Sequence, residues 1–337
     1  MKKLLIILLA VSSCLASPPP GYYDFAIGQT GEYLRDALHS IIRGHTVVSY
    51  SNTESALMRL DQDPANSNNV MLLYAQRSEP KTNFGTIEGW NREHMWPNSY
   101  GLDSSGPEYS DLFNLRAEDA TVNSSRGNKF YDIGNVFDPN FRNPAHEEAL
   151  DCVSDTDSWS PPFVSRGDVA RAMFYMDVRY SGEDGEPDLI LTSNLSHIQS
   201  DTNFMGRLAM LLRWHIEDPV DDAERLRNDL IFTEYQHNRN PFVDHPEWVE
   251  SVFWPQLRVM ISQPNPEIRP GLQFYWSSIH FGARLEESAA VGGPWLPVPG
   301  EPAMEDPSEF TQYNFPLQCD DLDACIEYFR LNVLPHE

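Results

Sequence analysis

Two polar segments thirty residues apart constrain this chain more than any other feature. Residues 91–98 read Asn-Arg-Glu-His-Met-Trp-Pro-Asn, and residues 122–128 read Val-Asn-Ser-Ser-Arg-Gly-Asn. A carboxylate beside a histidine, followed by an asparagine on a predicted helix, becomes a site only if the fold brings strand end and helix together. Glu93 offers a hard oxygen ligand. Mg²⁺ prefers octahedral oxygen ligation at about 2.1 Å, keeps several waters and often takes only one or two protein ligands. The amide oxygen of Asn123 can be the second ligand without adding another negative charge beside a phosphate. His94, titrating near neutrality, can take a proton from water. Its ring needs an orienting partner on the other nitrogen, either a backbone carbonyl or Asn114. Arg126 lies one helical turn after Asn123 on a similar face. Its planar fork can clamp a phosphate oxygen or point to solvent. Each residue also has a bland reading: a Glu/His pair bonded into a core, or an ordinary capped helix. Their combined order and spacing favour phosphodiester hydrolysis with one metal ion.

Five segments carry a family resemblance. They are Arg92-Glu93-His94 with Trp96-Pro97; Asp111-Leu112-Phe113-Asn114-Leu115-Arg116; Val122 to Asn128; Arg166-Gly167-Asp168-Val169-Ala170-Arg171; and Asn238-Arg239-Asn240-Pro241. Together, over roughly residues 22–260, the chain resembles the bacterial endonuclease I family of secreted and periplasmic nonspecific nucleases. The resemblance implies an α+β fold, with a mainly helical catalytic domain around a small ββα-metal core. It implies DNA, and RNA as a further substrate, cut with Mg²⁺, Mn²⁺ or Ca²⁺ being alternative metals. An extracellular ribonuclease of the same family is the nearest competing function. Family members often carry a further basic residue in the loop between the two halves of the core, but residues 98–110 contain no Lys or Arg. Arg116, Arg126 and Arg166 are the candidates to stabilise the transition state in its place.

The formal net charge is −26, the wrong sign for a protein that holds nucleic acid through a broad basic footprint. The charge is uneven. Residues 77–142 hold 7 Lys and Arg against 10 Asp and Glu, whereas residues 263–337 hold 3 against 12. The acidity therefore sits mostly away from the motifs, and tight nonspecific binding is not expected.

The N-terminus reads as a targeting segment over residues 1–16. Lys2-Lys3 precede an apolar run, Leu4 to Val11, too short for a permanent bilayer span. Val11-Ser12-Ser13-Cys14 matches a lipobox, making Cys14 a candidate lipid anchor, while Cys14-Leu15-Ala16 equally fits a cleavage site; plain secretion, or a periplasmic location, is the preferred reading. No other stretch could cross a membrane. Four cysteines exclude a disulfide-dense scaffold. Cys319 and Cys325 flank an acidic turn and could pair after export, leaving Cys152 over. A monomer is expected.

Periodicity predicts helices over 30–44, 53–61, 167–180, 204–216 and 223–232, a short helix after Pro246, and a buried strand over 70–74. Helix 167–180 would bury one face through Val169, Met173, Met176 and Tyr180. Residues 139–165 read as loop. A catalytic domain over 21–262 would be followed by a proline-marked linker and a β-rich accessory module over 271–335, whose punctuation suits a small all-β sandwich. A zinc hydrolase is disfavoured because no two of the ten histidines stand four apart. The acidic loop Glu183 to Asp188 lacks the ligand spacing of a helix–loop–helix calcium site. A non-enzymatic secreted binding protein would have no need for Glu93, His94 and Asn123 together.

Overall fold

A computed structural model describes residues 17–200 and 202–253, together with the backbone of six strands between 258 and 333. The targeting segment with Cys14, the proline-rich stretch 262–270, and Cys319 with Cys325 lie outside the described residues. The chain is mixed α+β: among the described residues there are eight α-helices and several small sheets.

The first helices form where apolar residues recur at helical spacing. Helix α1, Gly31–Ile42, buries Leu34, Leu38 and Ile42, and α2, Tyr50–Leu60, buries Thr53, Ala56, Leu57 and Leu60. Strand β1, Asn69–Met71, pairs antiparallel with β2, Ser78–Pro80. The predicted strand over 70–74 stops early because the Glu118 carboxylate takes the backbone N–H of Tyr74 and Ala75, removing them from any ladder. Strand β3, Trp90–His94, pairs antiparallel with β4, Leu115–Asp119, in the register Trp90↔Asp119 and Glu93↔Arg116. Helix α3, Ala120–Arg126, follows at once. Asp119 starts it: Oδ1 accepts from the N–H of Thr121 at 2.8 Å and of Val122 at 3.0 Å. Such an N-cap contributes about 1 kcal/mol. The hairpin and α3 are the ββα unit that the sequence predicts.

Helix α4, Arg166–Arg179, runs through the middle of the molecule. Instead of one buried face it is buried almost all round, from Val169 to Arg179, because other helices pack on several of its sides. They include α1, α5 (Leu208–Glu217) and the short helix Pro241–Asp244. Two arginines tolerate this burial by pairing. Arg171 meets Glu224 at 2.6 Å, and Arg179 meets Glu186 at 2.5 Å. The predicted helix over 204–216 is shortened, since Phe204–Met205 pairs in parallel with Ile190–Leu191 before the helix begins. Helix α6, Asp222–Leu230, widens into a π-helical turn through Tyr235. The stretch read as loop, 139–165, supplies Val153–Ser154 and Ser158–Ser160, which pair with each other; the latter also pairs with Phe130–Tyr131.

The core is one large cluster around α4, with Trp96, Trp159 and Trp214 fully buried in it. A smaller cluster of Leu57, Val70, Leu72, Trp90, Leu115 and Ala117 sits under the hairpin. Further along, Gly271–Ser277 pairs with Arg258–Ile261 and with Phe310–Pro316, and Ala283–Ser288 pairs with Leu296–Pro297 and Tyr328–Val333, all antiparallel.

Candidate active site

The strand end and the helix meet as the spacing requires. Glu93, on β3, is 1% exposed. Its Oε1 accepts from the Tyr74 hydroxyl at 2.7 Å and from Arg126 Nη1 at 3.0 Å. Its Oε2 has no hydrogen-bond donor among the described residues. Burial pushes the carboxyl above its usual pKa, against the opposing pull of Arg126 and Tyr74.

Arg126, at the end of α3, is fully buried. Besides Glu93 it donates to the His94 carbonyl at 2.9 Å and the Met95 carbonyl at 2.8 Å, and it lies over the Tyr131 ring. Its fork is used inside the protein, bracing the strand end, rather than held free for a phosphate.

Asn123 donates from Nδ2 to Asn91 Oδ1 at 2.7 Å and to the Arg92 carbonyl at 3.0 Å. Both amide protons therefore go to β3, and Oδ1 has no donor among the described residues. The hairpin and α3 thus leave two oxygens uncommitted, one from each element.

His94 is held by the carbonyl of Tyr109, 2.9 Å from Nε2. A carbonyl only accepts, so Nε2 carries the proton and Nδ1 keeps its lone pair. The ring packs against Tyr109 and stacks on Tyr50 at 17° between planes. Burial pushes its pKa down to about 4. The Tyr109 bond opposes this, and the charges of Arg92 and Arg126 add to it. At neutral pH the imidazole is therefore the neutral, singly protonated form, with Nδ1 free to act as a base.

Asn114 does not touch His94. Its amide closes a two-bond clasp on the Trp96 backbone, accepting from N–H at 2.6 Å and donating to C=O at 3.1 Å. Nearby Asp111 is fully buried and accepts from the hydroxyls of Tyr175 and Tyr180. These contacts fix the loop that presents the Tyr109 carbonyl.

Arg116 and Arg166 also have partners within the protein. Arg116 pairs with Asp61 and Asp168 at 3.2 Å each and lines a cavity of about 30 Å³ with Glu224 and Arg227. Arg166 donates to Ser160 and the Pro161 carbonyl. Trp96 is a core residue. Glu183 and Glu186 of the acidic loop pair with Arg43 and Arg179. Sequence reasoning missed the tyrosines. Tyr109 acts through a carbonyl, which no side-chain pattern records, and Tyr74 lies nineteen residues before its carboxylate. It also missed Glu118, whose burial pushes its carboxyl up to about 8, with Glu93 adding to the shift.

A family model for endonuclease I matches residues 30–247. The chain belongs to the endonuclease I family. It is similar to the extracellular ribonuclease of Bacillus amyloliquefaciens, with 46% identity over 235 residues, covering 69% of this chain and 78% of that one. It is equally similar to the extracellular ribonuclease of Bacillus subtilis (strain 168), with 46% identity over 237 residues and the same coverage. This endonuclease I chain is therefore a phosphodiester-hydrolysing enzyme, which sets aside the binding-protein alternative. Among the described residues no helix is long and apolar enough to cross a membrane.

Proposed function

We propose that this endonuclease I chain is a secreted, monomeric, metal-dependent nuclease. It hydrolyses RNA and DNA with little sequence preference. Residues 271–335 form an accessory β-rich unit, and Cys14 is removed with its leader. The observation that supports the site reading most is the pair of uncommitted oxygens, Glu93 Oε2 and Asn123 Oδ1, beside a histidine kept neutral by burial.

The donor set fits magnesium. Among the described residues no cluster of three or more His, Cys, Asp or Glu could hold a metal, which disfavours zinc. One carboxylate and one amide oxygen are enough for an ion that keeps most of its waters. Manganese and calcium, also oxygen-seeking, are the alternatives. When bound, the ion withdraws charge from the phosphate and from the leaving 3′-oxygen.

The chain's own residues supply the rest. His94 Nδ1 accepts a proton from the attacking water while the Tyr109 carbonyl keeps the ring turned. Arg126 and Tyr74 hold Glu93 through Oε1 and leave Oε2 without a donor among the described residues. Asn91 and the Arg92 carbonyl hold Asn123 likewise. Water attacks phosphorus, the bond to the 3′-oxygen breaks, the departing 3′-oxygen takes a proton from solvent water, and the fragments carry a 5′-phosphate and a 3′-hydroxyl. No 2′-hydroxyl takes part, so DNA remains a substrate, although the two Bacillus relatives are named for RNA. The test is cleavage of RNA, single-stranded DNA and duplex DNA by the full chain with Mg²⁺, Mn²⁺, Ca²⁺ or chelator, with analysis of the ends. Chelator-sensitive cleavage leaving 5′-phosphates is expected. Cyclic 2′,3′-phosphate ends, or indifference to chelator, would sink the proposal.

A further inference from the structure

Hydrolysis of a phosphodiester builds negative charge on the phosphoryl oxygens. A magnesium ion held by one carboxylate leaves part of that charge uncompensated, so a protein cation with free donors beside the base would lower the barrier. The arginines that sequence order put forward for this task are all engaged. Arg126 is bonded to Glu93 and two carbonyls, Arg116 to two aspartates, and Arg166 to Ser160 and a carbonyl.

Arg92 differs from them. Its guanidinium makes no hydrogen bond and no ion pair among the described residues. Nε is occluded and has no partner. The group lies 4.3 Å from the Tyr50 ring centroid and 4.9 Å from that of Phe84. Tyr50 is also the ring on which His94 stacks. Arg92 stands two positions before His94 on β3, so the two share a face of the strand. The two rings fix the plane of the fork through cation–π contact while leaving its N–H edge unused. A cation held in place but bonded to nothing is suited to a ligand that brings its own oxygens.

We propose that Arg92 is a catalytic residue that donates to a non-bridging oxygen of the scissile phosphate and stabilises the charge formed there. The proposal rests on the His94 and Glu93 site described above. It accounts for a loop over 98–110 that carries no basic residue: the cation comes from the strand instead.

The experiment compares Arg92→Met, Arg92→Ala, Arg92→Lys and Glu93→Gln with the full-length wild type on one RNA and one DNA oligonucleotide in Mg²⁺. Methionine keeps a stem that can pack on the rings. Arg92→Met should keep the wild-type Tm and Mn²⁺ affinity yet lose roughly 10²–10³ in kcat, the scale of one lost oxyanion donor. Methylguanidine should restore part of the loss in Arg92→Ala, whose short side chain leaves the space against the rings open. Arg92→Lys should recover less than full rate, because it lacks the fork. The salt dependence of binding should weaken by about 0.7 in log–log slope for a single-stranded substrate, as for one phosphate contact. The inference is overturned if folded Arg92→Met stays within about threefold of wild type while Glu93→Gln is inactive. It is equally overturned if the loss follows a fall in Tm and neither lysine nor methylguanidine recovers any rate. Should Glu93→Gln itself remain active, the metal-site reading fails independently, and the methylguanidine result still decides Arg92.

Discussion

Replacing Arg126 by methionine separates a structural brace from a phosphate clamp. Both members of the Glu93–Arg126 pair are almost fully buried, with side chains 2% and 1% exposed. Removing one partner of such a pair strands the other charge and costs about 3–5 kcal/mol. The carbonyls of His94 and Met95 also lose their donors. The loss should depend on pH with a definite sign. Burial already raises the Glu93 carboxyl, and Arg126 is the largest influence lowering it. Without the arginine the folded-state pKa rises further above the unfolded value, so the native state binds the extra proton. Stability then falls as pH rises through the interval between the two values. The deficit of Arg126→Met should therefore be larger at pH 8 than at pH 5. Metal binding must displace the same proton, so Mn²⁺ affinity should climb more steeply with pH than in wild type. Urea unfolding at the two pH values, with Mn²⁺ titration, measures both effects. If the variant stays within about 1 kcal/mol of wild type at both pH values and shows only a raised KM, the brace argument is refuted and Arg126 is a substrate contact.

Other expectations follow from the same geometry. Asn123→Ala should cut activity severely, as should Glu93→Ala, with weakened metal affinity in each; near-normal cleavage at saturating Mg²⁺ would remove them from the ligand set. His94→Ala should keep metal binding and lose roughly 10²–10⁴ in turnover, the scale of a lost general base, and lost metal binding in a folded variant would make His94 a ligand. In the proposed mechanism the neutral imidazole is the working form, and burial pushes its pKa down to about 4. The rate of the chemical step should therefore hold from pH 8 to below pH 6 and fall only toward pH 4; an acid limb centred near 6.5 would contradict the burial argument. Truncation near residue 265 removes an acidic segment, 3 basic against 12 acidic residues. It should leave an active nuclease with lower KM at low ionic strength, the gain shrinking with salt; an insoluble fragment would make the C-terminal strands part of the catalytic fold.

What could be read from sequence was what repeats or clusters along it. The ββα unit was legible because the hairpin and helix are contiguous and Glu93, His94 and Asn123 carry unusual chemistry in fixed order. Helix α1 was legible from Leu34, Leu38 and Ile42. Helix α4 was placed almost to the residue, but its all-round burial was not, because Glu224 and Glu186, the carboxylates that meet Arg171 and Arg179, lie on other parts of the chain. The holder of His94 was left between a carbonyl and Asn114, since an Asn that clasps its own strand and one that turns an imidazole look alike in sequence. Partners such as Tyr74 and Tyr131 enter from other elements, and no local period announces them.

The Asp111 anchor has an evolutionary consequence. The segment from Trp96 to Asn114 is tied down at both ends, by the Asn114 clasp on Trp96 and by Asp111 against Tyr175 and Tyr180 near the end of α4. Between these ties its tip, residues 103–105, is exposed. Exposed tips between fixed points tolerate insertion and substitution. Lineages can therefore lengthen, charge or reshape this tip while the His94 ring keeps its orientation. A variable surface and a fixed imidazole are in this way placed on separately mutable parts of a single loop.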